Sequence, residues 1–235
     1  MYTVLAIICH PDDMEIDCGG TLLKCKERGD RVVVCNLCNG SMGHMVIMPD
    51  ELIAMRDRES KESCAIGGFE HIPGGFDDLE IYDGNKEARD KVVKIIREVN
   101  PDFIITHSPD DYMSDHVATS KLAFDASFAA SVPHYSMDIK GEAKVVPIYY
   151  MMPDGGINFT PDEYVDVTDY MDKKLEMLAC HKSQVSWIKD HDNGDLVEDA
   201  RVISRFYGMQ CGVRYAEAFR LCRVALKQTT KRMLP

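Results

Sequence analysis

The chain has 235 residues, 45% of them hydrophobic, and a formal net charge of −12. That length and apolar content suit one large α/β domain with a sizeable core and argue against disorder. The acidic balance argues against a nucleic-acid binder, whose affinity rests on Lys and Arg, and against an anionic membrane surface. No apolar run is long enough to span a bilayer, and "MYTVLAIICHPDD" turns acidic without the basic start of a signal peptide. Nine cysteines, several inside apolar runs, read as reduced thiols in a cytoplasmic protein.

In chain order, residues 3–9 (TVLAIIC) form a continuous β-branched run, the pattern of a strand buried on both faces of a parallel sheet. Residues 19–29 read as a helix closed by Gly29. Residues 31–38 (RVVVCNLC) read as a second buried strand, running into the glycine loop "NGSMGH". Residues 49–68 read as a helix, with Pro49 in the first turn and Gly67 and Gly68 at the stop. An amphipathic helix over 86–101 ends at Asn100 and Pro101. A short buried strand follows at 102–107, then a helix over 115–131, a strand over 145–152 and a helix over 169–184. Residues 186–200 are polar and read as a surface excursion. Strands and helices alternate through short connections, which predicts a doubly wound α/β sheet in a single domain over 1–235.

Such sheets bind ligands at the carboxyl ends of their strands. His10 follows the first strand, Asn39 to His44 follow the second, and His107 opens "HSPDDYMSDH" after the strand at 102–106. "CHPDDMEID" crowds one imidazole with Asp12, Asp13, Glu15 and Asp17. Like charges repel, so such a cluster needs a cation, a proton-transfer role or full solvation. His10 and Asp13, three apart on a turn, suit chelation of one ion, and the second cluster offers His107, Asp110, Asp111, Asp115 and His116 for a third ligand. Of Asp12 and Asp13, one is then free to accept a proton. Either cluster alone reads as a solvated acidic turn; two at one sheet edge read as a site. Arg56 and Arg58 read as exposed helix residues, with Arg56 able to reach a substrate. Cys35 and Cys38, three apart on a strand, point to opposite faces and read as buried thiols, not as a redox pair. There is no G-x-G-x-x-G, Walker loop or G-x-S-x-G.

"AIICHPDDMEIDCGGTL" resembles the "AHPDDE…GCGGTL" signature of the LmbE-like (PIG-L) N-deacetylases. "NGSMGH", "IAMRDRES", "PDFIITHSPDDYMSDH", "HKSQ" and "YAEAFR" extend the resemblance over nearly the whole chain. It implies a Rossmann-like three-layer α/β fold with a mostly parallel twisted sheet. It also implies zinc-dependent hydrolysis of N-acyl groups, mostly acetyl from amino sugars such as N-acetylglucosamine units. By motif position, His10, Asp13 and His116 would bind one Zn2+ per chain, a set that also suits Fe2+. Asp12 would be the general base, with Asp115 supporting the site from beside His116. The implied partner is a small N-acetylated sugar or glycoconjugate, and family members are often homo-oligomers.

The resemblance has two departures. The family's H-x-D-H has Met113 in place of its first His, and a thioether neither stabilises an oxyanion nor protonates a leaving amine. Tyr112, His107, His44 and His134 are the candidates to substitute for it. We assign Tyr112 to the catalytic group, and Arg56, His44 and His107 to substrate binding. Ser41 stands where many relatives carry Glu. A second reading therefore keeps the metal and a carbohydrate ligand but assigns weak or lost catalysis. A third, redox chemistry through Cys35 and Cys38, is remote.

Overall fold

A computed structural model describes residues 1–235. β1 (Thr3–Ile8) is buried from Val4 onward and lies inside the sheet, between β2 and β4. A single turn, α1 (Asp13–Asp17), and then α2 (Gly19–Glu27) lead to β2 (Arg31–Cys38). α3 (Pro49–Gly67) starts at its proline and stops at Gly68, in the left-handed region at φ 71°. β3 (Glu70–Phe76), α4 (Lys86–Val99), β4 (Phe103–Thr106), α5 (Ser114–Ala129) and β5 (Ile148–Met151) complete the alternating part. β6 (Glu163–Asp166), α6 (Met171–Leu178), α7 (Lys182–Trp187), α8 (Leu196–Cys211) and β7 (Ala216–Leu221) follow.

The seven strands form one sheet in the order β3-β2-β1-β4-β5-β7-β6. β1 to β5 are parallel, and β7 pairs antiparallel with both β5 and β6. This is the mostly parallel three-layer arrangement expected. Val4, Ala6 and Ile8 enter one core with residues of α2, α6 and α8. Leu5, Ile7 and Cys9 enter the other with residues of α4 and α5. Alternate side chains of β1 thus feed both layers. The strand order reverses between β1 and β4, so a crevice opens there at their carboxyl ends.

Two local expectations change. The helix over 169–184 breaks into α6 and α7, because Cys180 and His181 close tighter i→i−3 bonds to Met177 and Leu178. Residues 186–200 lie at the surface as expected, with only Ala200 buried, and from there Trp187, Ile188, His191 and Leu196 line the main cavity. Cys35 and Cys38 do not point to opposite layers. The β2–β3 register shifts between Asn36 and Cys38, and both thiols join the same core. All nine cysteines are unpaired, and no helix is long and apolar enough to cross a membrane.

The C-terminal strand is tied to the front of the molecule by Glu217. Its Oε1 accepts from Gly20 N–H at 2.8 Å and its Oε2 from Thr21 N–H at 2.7 Å, at the start of α2. Lys174 Nζ donates to Oε1 at 2.7 Å, with both side chains almost fully buried. An anion at a helix amino terminus is favourable, and α2 has no side-chain cap of its own. A Cβ on Gly20 would meet Val167 at 2.7 Å, so this close approach requires glycine. Glu217→Ala leaves Lys174 buried without its carboxylate. It is expected to cost about 3–5 kcal/mol, read as a shift in the urea midpoint.

Candidate metal and catalytic site

Three donor atoms converge at the end of β1. His10 Nδ1 lies 3.3 Å from His116 Nε2 and 3.5 Å from Asp13 Oδ2, and Asp13 Oδ2 lies 3.3 Å from His116 Nε2. Each ring is gripped from behind by a carboxylate. Asp115 Oδ2 is 3.2 Å from His10 Nε2, and Asp111 Oδ2 is 3.0 Å from His116 Nδ1. Asp115 is itself fixed by the Leu79 N–H at 2.8 Å. Ligands held about 2.0–2.2 Å from a tetrahedral zinc stand roughly 3.3–3.6 Å apart, and carboxylates behind metal-binding imidazoles are common. The donor set therefore fits a divalent metal ion. Cys9 also lies within reach of this group, although burial holds its thiol well above its ordinary pKa.

Asp12 turns away from this cluster. Its φ of 112° puts a non-glycine residue in the left-handed region, directing the side chain toward α3. There, Arg56 Nη2 donates to Asp12 Oδ1 at 3.2 Å and, more closely, to the Pro11 carbonyl. Arg56 Nη1 reaches the Gly40 carbonyl at 3.4 Å. Burial pushes the Asp12 carboxyl up to about 6, against the pull of Arg56 and with a push from Asp13. A carboxylate of that basicity suits proton transfer near neutral pH. Burial would also raise Asp13, but the His116 and His10 rings beside it hold it well below its ordinary value.

Behind Asp12 lies a second buried set. His181 Nε2 is 3.0 Å from Glu15 Oε1, and the Ser63 hydroxyl donates to the same oxygen. Burial pushes His181 down, yet Glu15 raises it on balance. The rest of the "HKSQ" stretch ties neighbouring elements together, and Gln184 also lines the cavity. Ser183 gives its N–H and hydroxyl to the buried Glu59 at 2.9 and 2.6 Å, and Gln184 Nε2 donates to the Gly43 carbonyl at 2.8 Å.

The cluster opens into a cavity of about 1210 Å³. His10, Asp12, Asp13, Asp115, His116 and Arg56 line it, as do Tyr112 and Met113. Other placements differ from expectation. Arg56 is not an exposed helix residue: it is 2% exposed, and its guanidinium bonds go to Asp12 and two carbonyls, so it positions Asp12. His107 is 0% exposed, is absent from the cavity wall and stacks on His116 at 4.0 Å between centroids. The Cys9 N–H donates to its Nε2 at 2.9 Å, which fixes that nitrogen as an acceptor. Burial and the facing His116 lower His107 to about 4, so it is a neutral packing ring and not a substrate contact. His44 does not line the cavity; its Nδ1 accepts from Val46 and Ile47 N–H at 3.1 Å and its ring lies 6.0 Å from Trp187. His134 is exposed and also lies outside the cavity wall. Tyr112 stands at the mouth, 76% exposed.

Sequence reasoning missed Asp78, Asp154, Trp187 and His191, all of which line the cavity. Asp78 accepts from Gly40 and Met42 N–H at 2.8 and 3.0 Å and so anchors the glycine loop. Only the folded contacts distinguish it from the many surface acids. Native protein is expected to bind about one metal ion per chain. His10→Ala and His116→Ala should each lose most of it by elemental analysis, while Glu217→Gln should retain it.

The family model described as "PIG-L: GlcNAc-PI de-N-acetylase" matches residues 5–127, over half of the chain. The diacetylchitobiose deacetylase of Thermococcus kodakarensis is 32% identical over 233 residues, covering 92% of this chain and 82% of its own. The solved structure of the N,N'-diacetylchitobiose deacetylase of Pyrococcus horikoshii superposes with a TM-score of 0.82 at 30% identity, covering 93% of this chain and 83% of that one. The 4-oxalmesaconate hydratase of Pseudomonas putida is 24% identical over 194 residues, covering 77% of this chain and 74% of its own. The arrangement of strands, carboxylates and imidazoles described above is thus that of a member of the PIG-L family, to which this chain belongs.

Proposed function

We propose that this protein is a zinc-dependent N-deacetylase that removes an acetyl, or other N-acyl, group from an amino sugar or sugar conjugate. The observation that carries this reading is the triangle of His10, Asp13 and His116 donors with the separate, basic Asp12 opening into the same cavity. The named deacetylases among the similar proteins support it.

His10, Asp13 and His116 would hold the zinc, which when bound would supply a Lewis acid for the acyl oxygen and would make a nearby water more acidic. Asp12 takes the proton as that water attacks the acyl carbon. Arg56 keeps Asp12 pointed into the cavity and away from Asp13. Asp115 and Asp111 hold the two ligand rings in the tautomers that aim lone pairs at one point. The amine must leave with a proton. Met113 has none to give, so this reading assigns that role to its neighbour Tyr112 at the cavity mouth.

Acetate release from a panel of N-acetyl sugars and chitobiose tests the proposal. Turnover should appear with zinc-loaded native protein; none on any member of the panel would sink the reading. Asp12→Asn should keep its metal and lose about 10²–10⁴ in kcat. Tyr112→Phe should lower kcat, and Met113→His should raise it, by up to about 10²–10³ if the oxyanion lacks a donor.

A further inference from the structure

The cavity has two chemically different halves. Around His10, Asp12 and His116 it is polar. Away from them its wall comes from the segment after α7 and from α8: Ile188, Leu196, Ala200, Val202, Ile203 and Phe206 make an apolar stretch, with Asp192 and Asp199 beside it. Positions 196, 200 and 203 recur at helical spacing, so one stripe of α8 faces the cavity. Phe206 is 46% exposed and Val202 56%, although both line this concavity. Apolar side chains left open in a concave wall beside a reaction site are covered favourably by an apolar part of a ligand.

Asp17 also lines the cavity. Asp154 and Asp199 line it too, both exposed, and their carboxylate oxygens can accept from a ligand hydroxyl or amide N–H. The complementary ligand therefore carries polar hydrogens and an apolar extension on one small molecule. The candidate site is continuous with the wall, so that molecule is the substrate.

We propose that the α8 wall is an apolar subsite, and that the substrate is an amphipathic N-acyl amino sugar whose alkyl or aryl group lies along Ile203 and Phe206. The reaction rests on the deacetylase reading; the subsite does not. The apolar group has two chemical sources, a glycosidic substituent or a long N-acyl chain, and the test separates them.

Zinc-loaded protein is assayed on N-acetylglucosaminides with methyl, butyl and octyl aglycones. A second series uses methyl glucosaminides with N-acetyl, N-butanoyl and N-octanoyl chains. In at least one series kcat/KM should rise about threefold to fourfold per methylene over the first few carbons. Phe206→Ser should flatten that slope through KM, whereas Met209→Ser, on the same helix but outside the cavity, should keep it. Calorimetric titration of Asp12→Asn with the octyl members reads the same contacts without turnover. Octyl-dependent binding with no hydrolysis in the native protein would keep the subsite and sink the reaction. Flat dependence in both series and in calorimetry would overturn the subsite. So would a Phe206→Ser variant that changes the oligomeric state but not the slope, because the wall would then be a contact between copies.

Discussion

Two adjacent carboxylates at the end of a buried strand must be kept apart, and the rest of the site follows from how that is done. Asp12 takes a left-handed backbone conformation, at a cost of about 1–3 kcal/mol, and the two side chains diverge. Asp13 goes to the imidazoles of His10 and His116, and Asp12 goes to Arg56. Arg56 is held under the glycine loop, where a Cβ on Gly40 would strike its Cδ at 2.3 Å. That loop is in turn pinned by Asp78 and by Gln184. α3 and α7 are joined by Glu59 and Ser183. The sequence motifs of the second loop, the third helix and the "HKSQ" stretch are therefore one frame around Asp12, while β4 and α5 frame Asp13.

The same frame explains what could be read from the chain and what could not. β1, β2 and β4 announce themselves because both faces are buried and the apolar run is continuous. α4 announces itself by its periodicity and its Asn-Pro stop. These are local signals. α1 is invisible in "DMEID" because it is one turn in which acidic and apolar residues alternate, held by His10 N–H donating to Asp13 and by Glu15 meeting Ser63 and His181. β6 is short and only partly buried, and Glu217 in β7 is turned inward as an anchor for α2, which breaks any simple in-out pattern. The metal-type cluster was legible because its two halves fall directly after β1 and β4, two buried strands that pair side by side in the sheet. Asp78, Trp187 and His191 were not, because nothing local marks an acid or an aromatic that meets the site only after the chain has folded.

Buried cationic groups elsewhere in the molecule are met by acceptors. Lys174 meets Glu217, and Arg97 donates to the carbonyls of Ala130, Val132, Tyr135, Ser136 and Ile139. At the end of β1 the balance differs. Asp12, Asp13, Asp78, Asp111 and Asp115 are gathered around one guanidinium and the His10 and His116 rings. Those rings are held charged only by the carboxylates themselves: burial opposes protonation, and Asp115 and Asp13 lift His10 to about 10 while Asp13 and Asp111 lift His116 to about 11. A divalent cation replaces two ring protons and neutralises the same acids with fixed geometry, which is the arrangement a metal site requires.

That charge distribution also separates the two chemistries carried by the similar proteins. Deacetylation and hydration both need a base and an activated water. They differ in the substrate that must approach. The hydratase is named for an oxalmesaconate, a carboxylate anion. In this chain the cavity presents Asp12, Asp17, Asp78, Asp115, Asp154 and Asp199, and its one buried guanidinium is already bonded to Asp12, Pro11 and Gly40. An anion entering there meets like charge from these carboxylates, and the positive centre open to it is the metal that His10, Asp13 and His116 would hold, because Arg56 is already occupied. A neutral N-acyl sugar meets hydrogen-bond acceptors suited to its hydroxyls and an apolar wall suited to its less polar face. The metal triangle is compatible with either reaction; the carboxylate-rich cavity around it favours the amide.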